Sequence, residues 1–310
     1  MVKVKEIESY KAYGKCVSIS NGVIEAYVTV DLGPRIIRFG YVDGQNIMQS
    51  NREEFGEKTD EKFEAHFGKG KKWENFGGHR IWISPESYPE TYVPDSDKVN
   101  YEITANGAVF TPLAEKANGV AKSLEIKMDP DDTNMQVIMR VKNIGDKNKK
   151  YAIWGLTVSE KNGTVIVPMN RNDTGLLPNR ILSVWPYTDM SDSRIYWGKN
   201  YVTVTHDPKA TQHLKLGFGI NGGTVYYVLG DDVFCKKYDT NHPDGIYPDG
   251  GCSFETYCCN IFTEVESLGE LKDVKPGETT TLIESWSLCK KENNVDFRND
   301  DSIENLLSNI

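Results

Sequence analysis

Short apolar runs separated by turn-forming residues dominate the chain. Each run is rich in Val, Ile, Thr, Tyr and Phe, and Gly, Asn, Asp or Pro lies between the runs. The clearest runs are Val23–Val30, Pro34–Tyr41, Met135–Val141, Tyr151–Val158, Thr224–Leu229 and Thr280–Leu288. Because β-branched and aromatic side chains favour extended backbone, this pattern predicts a protein built mainly from β-strands.

Three Asn-Gly pairs lie between neighbouring runs and predict how these strands connect. The pairs are Asn21-Gly22, Asn106-Gly107 and Asn162-Gly163. An Asn-Gly pair adopts the two positive φ angles of a type I′ turn at little cost, so each pair predicts an antiparallel β-hairpin.

Helical signals are confined to two segments. Asn51–Phe67 is highly charged and predicts a short surface helix, and Asp300–Ile310 predicts an amphipathic helix that begins near Asp-Asp-Ser. Strands and helices do not alternate, which argues against a nucleotide-binding sheet. We therefore predict an all-β fold in which residues 1–310 form one antiparallel sandwich domain, with a short helical tail at 291–310.

Composition and charge narrow the class of partner. The chain has 310 residues, of which 38% are hydrophobic and 26% charged, as in soluble globular proteins. Acidic residues exceed basic ones by 45 to 36, and a net charge of -9 disfavours binding to the phosphates of nucleic acid. The sequence shows no signal peptide and no run of about 20 apolar residues, so we expect a cytoplasmic protein without a membrane partner.

The cysteines argue against a metal site, whereas the aromatic residues are compatible with a sugar site. No CxxC pair occurs among the six cysteines, so we expect reduced, packed thiols and no zinc site. The six Trp and sixteen Tyr fit a carbohydrate site, because aromatic faces cover the apolar sides of sugar rings. They fit an ordinary β-core equally well.

The first segment with candidate chemistry is Asn75–Glu86. In an extended strand Arg80 and Trp82 share one face, while His79 lies on the other face among isoleucines. A guanidinium beside an indole can read sugar hydroxyls and stack on a sugar ring, although an Arg paired over a core Trp looks the same in sequence. His79 is either a structural residue or a catalytic candidate, and Glu86 is a candidate contact at the end of the strand.

Two loop segments could supply the wall of a pocket. The segment 179–197 brings Arg180, Trp185, Tyr187 and Arg194 close together in sequence, either as a pocket wall or as a loop that packs on its own aromatic residues. The segment 234–255 is polar and too long for a tight turn, as functional loops often are.

This second loop contributes Lys237, Asp249 and Glu255 as candidate contacts. Its oxygen-bearing side chains could suit calcium, but the spacing of an EF-hand is absent and we predict no metal.

The last segment, Asn260–Leu271, carries the candidate base. Period-two alternation puts Phe262, Glu264 and Glu266 on one face of a strand that otherwise reads as buried. A partly desolvated Glu264 would have a raised pKa, as a general base near neutrality needs, whereas a solvent-facing strand would leave it unremarkable.

Taken in order, five stretches of the sequence resemble the galactose mutarotase-like superfamily, near the aldose 1-epimerases. They are GPRIIRFGYVDGQNIM, GGHRIW, the NR of Asn179-Arg180 followed by WPY, YCCNIFTEVESLGEL, and KPGETTTLIESWSL, which together span about residues 1–290.

The resemblance implies a β-supersandwich that interconverts sugar anomers without a cofactor. It matches Glu264 to the family's base. The family's mid-chain histidine has no counterpart in Tyr151–Leu156, which leaves His79 as the candidate acid. Apart from the resemblance, the acidic balance disfavours phosphorylated sugars, but Arg35, Arg80, Arg180 and Arg194 could locally override it and are candidate contacts to a sugar.

Three functions remain open from the sequence. The leading hypothesis is an aldose 1-epimerase-like isomerase that acts on a small-molecule carbohydrate. The second is a non-catalytic intracellular sugar-binding protein. The third is a glycoside hydrolase or lyase-like relative that pairs Glu264 with Glu255 or Asp249, for which the separation of the carboxyl groups would decide the mechanism. We expect a monomer or a homodimer.

Overall fold

The computed structural model describes all 310 residues, and strands account for most of its regular structure. The strands are β1 (Lys3–Ile7), β2 (Cys16–Ser20), β3 (Ile24–Thr29), β4 (Ile36–Tyr41), β5 (Glu57–Lys58), β6 (Trp73–Glu74), β7 (Gly78–Ser84), β8 (Asn100–Thr104), β9 (Gly107–Thr111), β10 (Val120–Met128), β11 (Asn134–Asn143), β12 (Lys149–Ser159), β13 (Thr164–Pro168), β14 (Ile181–Val184), β15 (Ile195–Trp197), β16 (Tyr201–Thr205), β17 (Leu214–Gly219), β18 (Thr224–Leu229), β19 (Asp232–Tyr238), β20 (Phe254–Cys258), β21 (Thr263–Leu268), β22 (Lys272–Val274) and β23 (Thr279–Lys290). The α-helices are α1 (Glu61–Phe67) and α2 (Asp300–Leu307), and Lys11–Tyr13 and Arg52–Glu54 are 3₁₀ turns.

Two large antiparallel sheets form the sandwich. The first sheet has the order β1-β2-β3-β4-β7-β12-β21-β20-β17-β14, with β22 paired to β12. The second has the order β15-β16-β13-β18-β19-β23-β11-β10-β9-β8. Strands hold 44% of the residues and helices 7%, so the prediction of an all-β antiparallel sandwich is confirmed.

Two of the three predicted hairpins are confirmed, and the third is wrong. The pairs β2–β3 and β8–β9 form around Asn21-Gly22 and Asn106-Gly107. At Asn162-Gly163 the chain instead crosses from the first sheet to the second, because both edges of β12 are already occupied, by β7 and β21.

Both helical segments contain a helix, but the first is shorter than predicted. Within Asn51–Phe67 only Glu61–Phe67 is α-helical, and the Asp60 side chain caps it by accepting a hydrogen bond from the Phe63 amide at 2.8 Å. Helix α2 buries Ile303 and Leu306 against the second sheet, as its amphipathic pattern predicts. Neither helix has the length and apolar character that crossing a membrane would require.

The space between the sheets is filled by one large apolar cluster. Three of its rings, those of Phe39, Phe234 and Trp286, pack together with centroids 5.1 to 5.7 Å apart in edge-to-face geometry. All six cysteines are unpaired thiols. The interior therefore depends on packing and on a few buried polar groups.

The side chain of Lys236 on β19 is a fully buried cation between the sheets. Its Nζ donates to the carbonyl oxygens of Gly155 and Val265, each at 2.9 Å, and lies 3.1 Å from a carboxylate oxygen of Glu284. Glu284 also accepts hydrogen bonds from Ser267 and from the Trp286 indole. Lys236 of the second sheet is thereby bonded to β12 and β21 of the first.

Removing one member of this ion pair should destabilise the protein more than neutralising both. We expect K236M to lose about 3–5 kcal/mol of unfolding free energy, because it leaves the Glu284 charge buried and unpaired. K236M/E284Q should lose less, since the glutamine oxygen can still accept from the Trp286 indole while its NH2 group donates to the Ser267 hydroxyl. Urea denaturation of the two variants and the wild type measures the difference, and a double variant no more stable than K236M would contradict this account.

Candidate functional site

A cavity of about 440 Å³ opens on the face of the first sheet that points away from the core. Most of its apolar lining is aromatic. The aromatic side chains include Trp73, Trp82, Tyr92, Trp154, Tyr187 and Tyr257. A cavity of this size and lining is typical of a small-molecule site, in which a few polar groups orient the ligand.

Strand register assembles the floor of this cavity. In β7 and β12, Arg80 lies opposite Leu156 and Trp82 lies opposite Trp154. On the other side of β12, Val158 pairs with Glu264 of β21. Because alternate residues of a strand share a face, residues far apart in sequence meet on one surface.

Arg80 and Glu264 form an ion pair on this floor. Arg80 Nη2 lies 3.2 Å from Glu264 Oε1, and the guanidinium stacks 4.4 Å from the centre of the Trp82 ring. Glu264 is only 7% exposed. Burial raises the pKa of Glu264 to about 7; Arg80 and Lys215 act against this rise, and Glu266 adds to it. Its carboxyl group can therefore gain and lose a proton near neutral pH.

Lys215 on β17 is the second buried cation at the floor. Its Nζ lies 2.8 Å from Glu255 and 3.1 Å from Glu266, and it faces the rings of Trp154 and Trp185 at 4.6 and 4.8 Å. Burial acts to lower the pKa of Lys215, but the two carboxylates outweigh it and the net shift is upward. The ammonium stays charged, and two of its three N–H groups suffice for the carboxylates.

The carboxyl groups of Glu266 and Glu255, which both pair with Lys215, differ in their other hydrogen-bond partners. Glu266 accepts a hydrogen bond from the Trp154 indole at 2.9 Å as well as from Lys215. Glu255 is fully buried behind Lys215. Burial raises the pKa of Glu255 well above its ordinary value, against the opposing effect of Lys215.

Five of the residues predicted for the site line the cavity together. They are Arg80, Trp82, Glu86, Tyr187 and Glu264. Glu86 accepts a hydrogen bond from the Tyr92 hydroxyl at the rim. Trp185 and Glu255 do not line the cavity, but each contacts Lys215, which does.

His79 lies on the opposite face of β7, in the core. The sequence-based prediction of His79 as the acid is therefore wrong. Its side chain is fully buried, its Nδ1 lies 2.9 Å from Thr157 Oγ1, and its ring packs edge-to-face on Trp286 at 5.0 Å. Burial, with Lys236 nearby, lowers the pKa of His79 well below its usual range. A neutral imidazole inside the sandwich cannot exchange a proton with a sugar on the outer face.

The remaining candidates lie elsewhere. Arg194 is buried and paired with Asp192 at 2.7 Å. Arg180, Lys237 and Asp249 are exposed and do not line the cavity. These residues were selected by closeness in sequence, which does not fix on which side of a sheet a loop or strand presents its side chains.

Arg35 lines a second cavity and pairs with Asp95 at 2.5 Å. It therefore also lies outside the aromatic cavity, although its charge made it a candidate sugar contact in the sequence.

Lys215, Trp154 and Tyr257 are site residues that the sequence analysis did not select. A signal for Lys215 was present, because a lysine within the otherwise apolar run Leu214–Gly219 must find a charged partner if the strand is buried. Tyr257 alternates with Glu255 along β20 in the same way. No group of three or more His, Cys, Asp or Glu side chains is arranged to hold a metal ion.

Comparisons with known proteins bear on the fold. No protein-family model matches the sequence, and no curated protein matches it. Solved structures do match it. A "putative aldose 1-epimerase" from Klebsiella pneumoniae subsp. pneumoniae MGH 78578 has a TM-score of 0.58 at 11% identity, over 100% of this chain and 87% of that one. A "putative mutarotase" from Salmonella typhimurium has a TM-score of 0.56 at 7% identity, over 93% and 97%.

A third match is named for the superfamily itself. The galactose mutarotase-like protein from Lactobacillus casei ATCC 334 has a TM-score of 0.54 at 11% identity, over 88% of this chain and 100% of that one. The chain has the galactose mutarotase-like fold. At these identities the likeness concerns the fold alone, because one fold hosts many unrelated sites.

The raised pKa of Glu264 should appear in the pH dependence of stability. A carboxyl group with a folded pKa near 7 and an ordinary value of 4.5 holds its proton more tightly in the native state. Its contribution to stability is full below about pH 4.5 and is lost as the pH rises to about 7.

We therefore expect wild-type unfolding free energy to fall more between pH 5 and pH 7.5 than that of E264Q, as measured by urea denaturation. Carboxyl ¹³C NMR of the two proteins should assign the titration to Glu264. Equal pH slopes would show that Glu264 titrates normally.

Proposed function

We propose that the aromatic cavity binds an aldose and that Glu264 accepts the proton of its anomeric hydroxyl, as in aldose 1-epimerase-like anomer interconversion. The observation that carries the proposal is the Arg80–Glu264 pair, buried at the floor of an aromatic cavity with the pKa of Glu264 near 7. The names of the structural neighbours agree with a carbohydrate-related role.

The cavity's chemistry suits a sugar ring. Indole and phenol rings can cover the apolar C–H faces of a pyranose, and the tyrosine hydroxyls can bond to its hydroxyl groups. Arg80 stacks on Trp82 and presents N–H donors beside Glu264. A ring held in this way has its polar edge against the charged floor.

Ring opening then needs one base and one group that stabilises the ring oxygen. Glu264 takes the proton from O1 while the C1–O5 bond breaks, which leaves an aldehyde at C1 and negative charge on O5. Arg80 is paired with the base itself, so we assign the stabilisation of O5 to Lys215, the second cation at the floor, which keeps one N–H beyond its two carboxylate partners. Rotation about C1–C2 and re-addition of O5 give the other anomer, and the proton returns from Glu264 to O1.

Non-catalytic sugar binding is the second candidate. The observation that favours it is that no histidine lines the cavity, since His79 lies in the core. The hydrolase or lyase-like alternative has less support, because neither Glu255 nor Asp249 lines the cavity with Glu264.

Replacing the base should remove catalysis and leave the fold intact. With a panel of unphosphorylated aldoses, we expect the wild type to accelerate anomer exchange and E264Q to lose about 10²-fold or more in kcat. The wild-type rate should rise with pH through about 7, because only the ionised carboxylate accepts a proton. Exchange NMR measures both effects.

A matched control for this test is E102Q. Glu102 is exposed on β8 of the second sheet, so this substitution should leave the rate unchanged. Saturable sugar binding without any acceleration by the wild type would favour the second candidate, and the absence of both binding and acceleration would exclude the proposal.

The role of Lys215 needs a variant that does not strand a buried carboxylate. K215M/E255Q/E266Q removes Lys215 together with both carboxylates that it pairs with, and the glutamine at position 266 still accepts from the Trp154 indole. We expect kcat to fall by about 10²-fold with a smaller change in KM, because the charge on O5 exists mainly in the transition state. A folded triple variant with unchanged kcat would remove Lys215 from the mechanism without affecting the role of Glu264.

A further inference from the structure

A second cavity, of about 280 Å³, lies beside the aromatic one; we call it the side chamber. It forms because β4 and β7 pair only through Ile36 and His79, so the following part of β7 has no strand neighbour on that side. Residues 33–35, 93–97 and 112–117 close the gap together with 122–124 of β10. Trp82 lines both cavities.

The wall of the side chamber differs from that of the aromatic cavity. Its apolar part is largely aliphatic or proline and includes Pro34, Ile81, Pro112, Leu113 and Leu124. Leu113 is 61% exposed, although it lines this cavity. Such a wall suits an apolar ligand body better than a sugar ring, which needs many hydroxyl partners.

The polar part of the chamber centres on Arg35. The Arg35 side chain is 4% exposed, and its Nη1 pairs with Asp95 at 2.5 Å. Its Nε and Nη2 make no hydrogen bond within the chain, and neither does Oδ1 of Asp95. Nε–H and the adjacent Nη2–H form the side-on fork of a guanidinium, whose geometry matches the two oxygens of a carboxylate.

The remaining charges of the lining favour an anion. Lys122 is paired with Glu115 at 2.5 Å and also donates to the Ile81 carbonyl at 3.1 Å. Lys71 and Lys116 lie at the exposed rim, where Asp97 is the one further carboxylate of the lining. The lining thus has one more basic than acidic residue, in a chain whose net charge is -9.

We propose that the side chamber binds a small organic acid, with its carboxylate on Arg35 and its apolar body against Leu113 and Leu124. Nε and Nη2 are themselves shielded from solvent, so the proposal includes a shift of the neighbouring Asp95 side chain, which is 21% exposed and pairs with the same guanidinium through Nη1. One carboxylate then replaces another as the partner of Arg35, and the buried guanidinium keeps a counter-charge throughout. The proposal holds whether or not the aromatic cavity converts sugars.

Three probes of equal chain length test the ligand's chemistry: hexanoate, 1-hexanol and hexylamine. Calorimetry and saturation-transfer NMR near neutral pH should show saturable hexanoate binding, roughly tenfold weaker 1-hexanol binding, and no hexylamine binding. Equal binding of all three probes would show an unselective apolar surface, and no hexanoate binding would exclude the site.

Variants locate the binding. D95N removes the competing carboxylate and should tighten hexanoate binding, whereas R35K keeps the charge but loses the fork and should weaken it roughly tenfold. L113D should weaken it through like charge at the mouth. Its matched control is I103D, because Ile103 is 51% exposed on β8 and does not line the chamber.

The proposal predicts the direction in which each variant changes hexanoate affinity. Unchanged hexanoate affinity in L113D, or weaker affinity in D95N, would overturn the proposal even if the wild type binds hexanoate. E264Q separates the two cavities, because it should leave hexanoate affinity unchanged whatever it does to sugar conversion.

Discussion

The ammonium group of Lys236 holds the two sheets of this sandwich in the relation that the site requires. It extends from β19 of the second sheet and bonds to the backbone of β12 and β21 in the first. These two strands carry Trp154 and Glu264 on their other face. Hydrogen bonds from Lys236 to main-chain oxygens therefore hold the floor of the cavity in place from the core side. Glu284 makes the buried charge tolerable, because an unpaired ammonium in the core would be strongly destabilising.

The same strands serve the core with one face and the site with the other. On β7, His79 and Ile81 face the second sheet, while Arg80 and Trp82 face the cavity. Charged groups are buried on both faces, and each finds its partner on its own face: Lys236 pairs with Glu284 inside, and Arg80 and Lys215 pair with three glutamates outside. Among these three glutamates only Glu264 lines the cavity, and its pKa near 7 is what the proposed role of proton acceptor requires.

The fold and the chemistry rest on separate arguments. Structural neighbours at 7–11% identity define the sandwich and carry no information about individual side chains. No histidine lines the cavity, so its floor differs from a site that pairs a glutamate with a histidine. The charged groups of this floor are instead Arg–Glu and Lys–Glu pairs. The gap between β4 and β7 adds a second cavity of different chemistry next to the first, with Trp82 as their common wall.

The sequence by itself determined the features that depend only on residues close together in the chain. Strand content, two of the hairpins, helix α2 and the separation of His79 from Arg80 all follow from local propensity and from the two-residue period of a strand. The outward placement of Glu264 beside Phe262 follows in the same way.

Only the tertiary structure decided which strands are neighbours. Arg80 and Glu264 are 184 positions apart in the chain, and their contact depends on β12 lying between β7 and β21. Long-range strand pairing also explains why the chain crosses to the other sheet at Asn162-Gly163 and why Lys215 lies at the cavity. The partner of Arg35, which is Asp95, was likewise visible only in the tertiary structure. Local sequence fixes the face on which a side chain lies, whereas its partner is fixed by strand order and register, which are properties of the whole fold.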